Sequence, residues 1–324
     1  MASAAPPTPA ITGTTDVYLI LGDPVEQVRA PEAFNRIFAQ LGIDAVLVPV
    51  RVAPADLAAF VRTAFAASNI KGMWVTIPHK APVLALLDGC TELGRVAGAV
   101  NAIRRMPDGR IEGALFDGEG FVAGLDHAGI AYSGKRVLII GAGGGSSAIA
   151  ASLACAGAAS AAEIAFYDPV PGKAQQVAQR IAQASASAVR AVDSSNPAGF
   201  DLVVNGSPLG LQPDDPMPCD VSRMEPHAAL VDILMKNQPT PVVRAARERG
   251  LVAQPGFEMM IQQTPLYLEF FGFHEAAQAV RQDATFLREL IYPAQLHGEI
   301  RRPAATGFPI PGVEGSRLAP HSPT

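Results

Sequence analysis

Several ordinary ingredients are scarce in this chain, and each scarcity excludes something. Only three cysteines occur in 324 residues, Cys90, Cys155 and Cys219, and they lie far apart. That spacing argues against a disulfide framework and against a clustered zinc site. Charged residues make up only 17%, and the formal net charge of −5 provides no basic surface for nucleic acid. Mean hydropathy is nonetheless +0.21. Alanine supplies much of it, and without a long unbroken apolar run no transmembrane helix is expected. The first residues, MASAAPPTPAITGTTD, have neither a basic start nor the apolar stretch of a secretory signal. The expectation is a soluble, reduced, cytoplasmic protein that binds no metal, nucleic acid or membrane. A monomer and a homodimer both fit the sequence.

What is present is ample apolar material, 49% of the chain, at a length that suits two domains better than one. Residues 1–14 and the Pro/Gly-rich tail read as disordered. Between them strands alternate with helices. YLILG (18–22), AVLVPVRV (45–52) and GMWVTIP (72–78) read as strands, and PEAFNRIFAQLG (31–42) and PADLAAFVRTAFAA as helices. KAPVLALLDG reads as a further helix. AVNAIRRM and RIEGALF flank Pro107-Asp108-Gly109, a hairpin signal. A second βαβ series begins at RVLII (136–140) and continues through EIAFY (163–167), VVN, LVDIL and LVAQ. FEMMIQQTPLYLEFFG and HEAAQAVRQDATFLREL follow as helices that can return to the first half. The fold class is α/β.

The RVLII strand runs into Gly141-Ala142-Gly143-Gly144-Gly145-Ser146-Ser147 and then a small-residue helix. Strand, glycine turn, helix and next strand together are the context of a dinucleotide site, because glycine lets the pyrophosphate approach a helix N-terminus. EIAFY ends just before Asp168, a little over twenty residues beyond the loop. An acid there accepts hydrogen bonds from a ribose diol and repels a 2′-phosphate, so the sequence favours NAD over NADP. Asp168-Pro169 also suits a turn or helix cap.

Five further segments then fall in one order. Gly72 to Lys80 (GMWVTIPHK), Gly98-Ala99-Val100-Asn101, Phe116 to Gly120 (FDGEG), Asn205 to Gly210 (NGSPLG) and Gly256 to Gln263 (GFEMMIQQ) surround the glycine loop. This ordered set resembles the shikimate/quinate dehydrogenase family over roughly residues 17–290. The resemblance implies a substrate domain at 15–117 and a Rossmann-type dinucleotide-binding domain at 118–255. It also implies C-terminal helices at 256–296 that return to the first domain, with a loose tail at 297–324. It implies a cleft between the domains and a catalytic pair, Lys80 and Asp117. Thr76, Asn101 and Gln263 are then on the substrate side. Gly141, Gly143, Gly144, Gly145, Ser146, Asp168, Asn205 and Ser207 are on the cofactor side. The chemistry is coherent without the family, since oxidising a secondary alcohol requires a group to take the hydroxyl proton. Asp117 also reads as a helix N-cap. Lys80 reads as a solvated residue at a helix start, His79 as a neighbour of the site, and Asn101 as either a ligand or a strand brace.

The departures from that family all run one way. Its Ser-x-Ser substrate grip is replaced by Val28-Arg29-Ala30, its usual Asn by Trp74, and its usual Tyr by Met235. The resemblance therefore implies a kept cofactor and proton relay with altered carboxylate recognition. Arg29, Trp74 and Met235 join the candidate substrate residues. The leading expectation is an oxidoreductase for a small hydroxylated ring. The alternatives are a shikimate or quinate dehydrogenase anchored by Arg29, and a non-catalytic NAD-binding paralogue.

Overall fold

A computed structural model describes residues 11–212 and 214–300. The expected disorder at 1–10 and 301–324 lies outside the described residues. The first half of the chain is β1 (Asp16–Gly22), α1 (Ala30–Leu41), β2 (Ala45–Arg51), α2 (Leu57–Ala64), β3 (Ile70–Val75), β4 (Gly89–Cys90), α3 (Glu92–Ala97), β5 (Ala102–Arg105) and β6 (Ile111–Ala114). These strands form one sheet in the order β2-β1-β3-β5-β6-β4. β1 runs parallel to β2 and β3, while β5 is antiparallel to both β3 and β6. The β5–β6 pair is the expected hairpin, turning at Gly109 with φ 89°.

After α4 (Asp117–Ala128) come β7 (Arg136–Ile140), α5 (Gly144–Ala154), β8 (Glu163–Tyr167), α6 (Lys173–Ala182), β9 (Ala188–Ala191), β10 (Leu202–Asn205), β11 (Ala229–Asp232), α7 (Pro241–Glu248) and β12 (Val252–Pro255). This second sheet is wholly parallel, in the order β12-β11-β10-β7-β8-β9. That is the doubly wound arrangement, and its direction reverses between β7 and β10, where such sheets bind ligands. The last helices are α8 (Phe257–Phe270), α9 (His274–Gln282) and α10 (Thr285–Ile291). Phe257, Ile261, Leu268 and Leu287 are buried in one core with Tyr18, Phe34 and Phe38 of the first half. The chain thus returns to its starting domain.

α4 joins the two halves. A methyl group on Gly118 would run into the Ala148 carbonyl of α5, and one on Gly120 into the Met259 carbonyl of α8. Backbone-to-backbone contact on both sides of α4 is what this glycine pair permits. It fixes the position of Asp117, the first residue of the helix.

Several expectations need correction. β3 stops at Val75 rather than Pro78, since a proline brings no N–H to a ladder. The segment after Lys80 is a short 3-10 helix, Pro82–Leu86, so Lys80 sits in a loop and not at a helix start. The stretch expected as one helix from His274 divides at Asp283, whose backbone is extended and whose carboxylate accepts the Thr285 N–H at 2.8 Å. The N-terminal loose end is too long, because Thr14 and Thr15 donate to Asp44 at 2.6 and 2.7 Å. The C-terminal one begins too early: Ala294–Glu299 is a 3-10 helix with Leu296 buried and Glu299 paired to Arg247.

Candidate active site

A cleft of about 750 Å³ opens between loops of the two sheets. Lys80 Nζ donates to Asp117 Oδ2 at 2.5 Å, with Asp117 buried and Lys80 partly exposed. Three contacts hold this pair in place. The Val100 N–H donates to the Lys80 carbonyl at 2.9 Å. The Phe116 N–H, one residue ahead of Asp117, donates to Asn101 Oδ1 at 3.0 Å. The Asn101 amide then donates to Gln263 Oε1 at 3.3 Å. Asp117 is the first helical residue, with Phe116 at the cap position, so the N-cap reading is off by one. Its charge still lies at the favourable end of the helix dipole. Lys80 is the nearest proton carrier to that carboxylate, and the pair can relay a proton between a substrate oxygen and the cleft.

Thr76 and Gln263 line the cleft, as do Trp74, Val28, Ala30 and Met235. Asn101 does not line it. Its side chain braces Phe116 against Gln263. Trp74 is buried at 2% exposure, stacked on Tyr267 with centroids 5.2 Å apart and on Phe271 at 4.3 Å. Its indole N–H has no hydrogen-bond partner among the described residues. Arg29 reaches the cleft, but its guanidinium donates to Glu32 at 2.8 Å and to the Leu290 carbonyl at 3.0 Å. His79 is fully buried, with Nε2 2.8 Å from the Val52 carbonyl, and serves as a brace.

The cofactor side gathers at the strand reversal. Gly141 has φ +94°, and a methyl there would stand 2.9 Å from the backbone of Gly206. Only glycine closes the β7 and β10 loops so tightly. α5 begins at Gly144 without a side-chain cap, leaving its first N–H groups available to an anion. A side chain built on Gly143 would point into open space. Asp168 Oδ2 accepts the Ala142 N–H at 2.8 Å and the Lys173 ammonium at 2.9 Å, while Oδ1 accepts the Val170 N–H at 3.0 Å. Burial pushes this carboxyl upward, but Lys173 and the two N–H groups outweigh it and hold it below the usual carboxylate range. Asp168 is therefore both turn-former and anion beside the loop. Gly145 lies near Ile233. The uncapped helix, the open edge at Gly143 and the acid at β8 fit a dinucleotide. Ser146 is fully buried without a partner for its hydroxyl. Asn205 and Ser207 bond to each other at 2.6 Å and shape the loop.

Comparison with known proteins agrees with this geometry. Residues 20–103 match the shikimate dehydrogenase substrate binding domain. The chain is 36% identical over 260 residues to the shikimate dehydrogenase (NADP(+)) of Rubrobacter xylanophilus, covering 79% of this chain and 90% of that one. The chain belongs to the shikimate dehydrogenase family. It is a nicotinamide-dependent oxidoreductase. The NADP(+) enzyme of Acidiphilium cryptum is 35% identical over 81% of this chain and 92% of its own. Among solved structures, quinate dehydrogenase from Corynebacterium glutamicum in complex with NAD has a TM-score of 0.73 at 26% identity, covering 84% of this chain and 99% of that one. The ligand-free 5-ketofructose reductase of Gluconobacter sp. strain CHM43 has a TM-score of 0.72, also at 26%, with the same coverage.

Within this family framework, sequence reasoning missed Tyr267, Phe34, Met260 and Lys236, all of which line the cleft. Tyr267 donates to the Asn101 carbonyl at 3.1 Å. Burial and the nearby Asp117 charge push its hydroxyl well above the usual tyrosine range, so it stays protonated. Its position one turn after Gln263 on α8 is the signal that could have found it. Lys236 directly follows Met235, a position already singled out.

Proposed function

We propose that this enzyme interconverts a secondary alcohol and a ketone on a small hydroxylated substrate, with NAD preferred, and that it lacks the shikimate-type carboxylate grip. The observation that carries the reading is the Lys80–Asp117 contact at 2.5 Å in the cleft, with Gly144 of the nucleotide helix packed beside Lys80. A bound nicotinamide supplies the hydride chemistry. Lys80 faces the substrate oxygen: as the neutral amine it takes the hydroxyl proton on oxidation and becomes the ammonium, and as the ammonium it gives that proton to the ketone oxygen on reduction, while Asp117 orients its Nζ. Thr76 and Gln263 orient the remaining hydroxyls. Val28 and Ala30 form an apolar wall, and burying a carboxylate against it is costly. The structural likeness to a 5-ketofructose reductase supports a sugar-like or otherwise less acidic ligand. Asp168 supports NAD by repelling a 2′-phosphate.

A second reading, shikimate dehydrogenase with NADP, is favoured by the names of the curated relatives. Absorbance at 340 nm separates the two, with shikimate, quinate and neutral cyclic polyols each tried with NAD and NADP. Turnover of neutral polyols with NAD above that of shikimate supports the first reading, and efficient shikimate oxidation with NADP overturns it.

A further inference from the structure

Hydrogen-bonding groups are unevenly spread around the cleft. Next to the relay some are free. Thr76, whose carbonyl accepts the His79 N–H in the turn leading to Lys80, makes no side-chain hydrogen bond among the described residues. Gln263 uses its Oε1 for Asn101 and keeps its amide nitrogen unused. On the wall built by α1, β3 and α8 the polar groups are already spent. Thr264 Oγ1 donates to the Met260 carbonyl at 2.9 Å, and Tyr267 to the Asn101 carbonyl at 3.1 Å. Ahead of α1, Gln27 and Arg29 donate to the Pro24 and Leu290 carbonyls. Both faces of the Trp74 indole are covered, by Tyr267 and Phe271, and its N–H is buried, so what Trp74 turns toward the cleft is carbon. Phe34 meets that indole edge-on with centroids 4.8 Å apart, and Met260 is buried in the same core. A stacked cluster of this kind cannot turn to present a donor. Gln212 and Lys236, from loops of the second sheet, are exposed to solvent. Tyr267 joins the two regions, since its ring stacks on Trp74 and packs at 5.0 Å on Phe116, the residue before Asp117.

We infer that the substrate is a neutral ring whose hydroxyls are confined to one edge, and that Trp74 is the specificity-determining residue that selects it. The reacting alcohol and its neighbour face Lys80, Thr76 and Gln263, and the opposite hydrocarbon edge packs on Phe34, Trp74 and Met260. The chemical class is a vicinal diol, or the matching hydroxyketone, on an otherwise bare ring. The inference rests on the dehydrogenase reading above and narrows its less acidic substrate. On oxidation the ring carbon gives its hydride to the oxidised nicotinamide and the hydroxyl proton goes to the Lys80 amine, so the diol becomes the hydroxyketone as the cofactor is reduced. Each methylene withdrawn from water against that wall is worth about fourfold in binding. A hydroxyl in its place finds no partner, and an apolar wall disfavours one added hydroxyl by about 10²-fold.

The test compares two neutral six-membered rings, cis-cyclohexane-1,2-diol and myo-inositol, by calorimetric titration of the NAD-loaded protein. The diol should bind about 10²-fold or more tighter. Trp74→Asn, which places an amide in the wall, should lower that ratio about tenfold or more, chiefly by weakening the diol. Met260→Gln, close in size and well suited to a helix, should lower it in the same direction, and it keeps the test readable if Trp74→Asn does not fold. Equal binding of the two rings, tighter binding of myo-inositol, or binding of neither overturns the inference. So does an unchanged ratio in folded Trp74→Asn or in Met260→Gln. Absorbance at 340 nm on the same samples keeps the two readings apart. A diol preference without reduction of NAD sinks the dehydrogenase reading alone, and reduction of NAD by myo-inositol as fast as by the diol sinks the Trp74 assignment alone.

Discussion

A methyl group on Gly144 would lie 3.6 Å from the side-chain carbons of Lys80. The first turn of α5 and Lys80 are thus neighbours, although they arise from different sheets. On the proposed reading, a cofactor at α5 and a substrate at Lys80 would share one space, which is the proximity that hydride transfer requires.

Removing the relay should cost turnover and spare the cofactor. Lys80→Ala should lower kcat by roughly 10²–10⁴-fold, the usual contribution of a positioned acid–base group. NAD affinity, measured by quenching, should hold within about threefold, a change worth only tenths of a kcal/mol. Asp117→Asn should lower kcat similarly, and the double variant should cost little more than either alone. Near-normal turnover in Lys80→Ala would remove it from the mechanism.

Cofactor choice should follow Asp168. Its carboxyl is held below the usual range and is ionised at neutral pH, and on the proposed reading that charge opposes a 2′-phosphate. The ratio of kcat/KM for NAD over NADP should be about ten or more, and Asp168→Ala should narrow it. A preference of the unmodified enzyme for NADP contradicts this assignment.

Shikimate should be a poor substrate, with kcat/KM below about 10⁴ M⁻¹s⁻¹, the lower end for an enzyme on its own substrate. The double substitution Val28→Ser and Ala30→Ser should raise it by roughly 10²–10⁴-fold, since each of the two hydrogen bonds to a charged group is worth about 1.5–3 kcal/mol. If shikimate is already efficient and Arg29→Ala abolishes the activity, Arg29 is the anchor.

Acid stability should depend on Glu258. Arg288 donates to its two oxygens at 2.7 and 2.8 Å, and the Tyr292 hydroxyl donates at 2.8 Å. Burial raises the Glu258 carboxyl, but Arg288 outweighs it and the group titrates below its ordinary 4.5. A depressed folded-state value means the contribution is complete above 4.5 and disappears as pH falls through the lower folded value. Arg288→Met, which removes the guanidinium and leaves the Glu258 carboxylate to Tyr292, Gln262 and His127, should cost about 3 kcal/mol at neutral pH by urea unfolding. The penalty should shrink as Glu258 becomes protonated on acidification. A pH-independent penalty would show that the ion pair is not its source.

How much of this was legible in the chain follows from the range of each interaction. Hydrophobic periodicity and the glycine turn are local, and they located β1, β2, α1, β7 and the nucleotide loop to within a few residues. The ordered motifs carried the Lys80–Asp117 pair, because motif order survives where individual contacts cannot be read. Local signals failed where backbone competition decided the outcome, as at Pro78 and Asp283, where a missing donor or a side-chain acceptor ended an element early.

The orientation of long side chains was decided only in three dimensions. The residues around Arg29 could not say whether it faces a ligand; Glu32 and a carbonyl 261 positions away take up its donors. Asn101 became a brace because Phe116 and Gln263 converge on it from two distant segments. The sequence alone determined the class of chemistry, since that rests on which residue types are present and in what order. Which charges remain available to a substrate depends on partners remote in sequence, and only the packed tertiary structure brings those together.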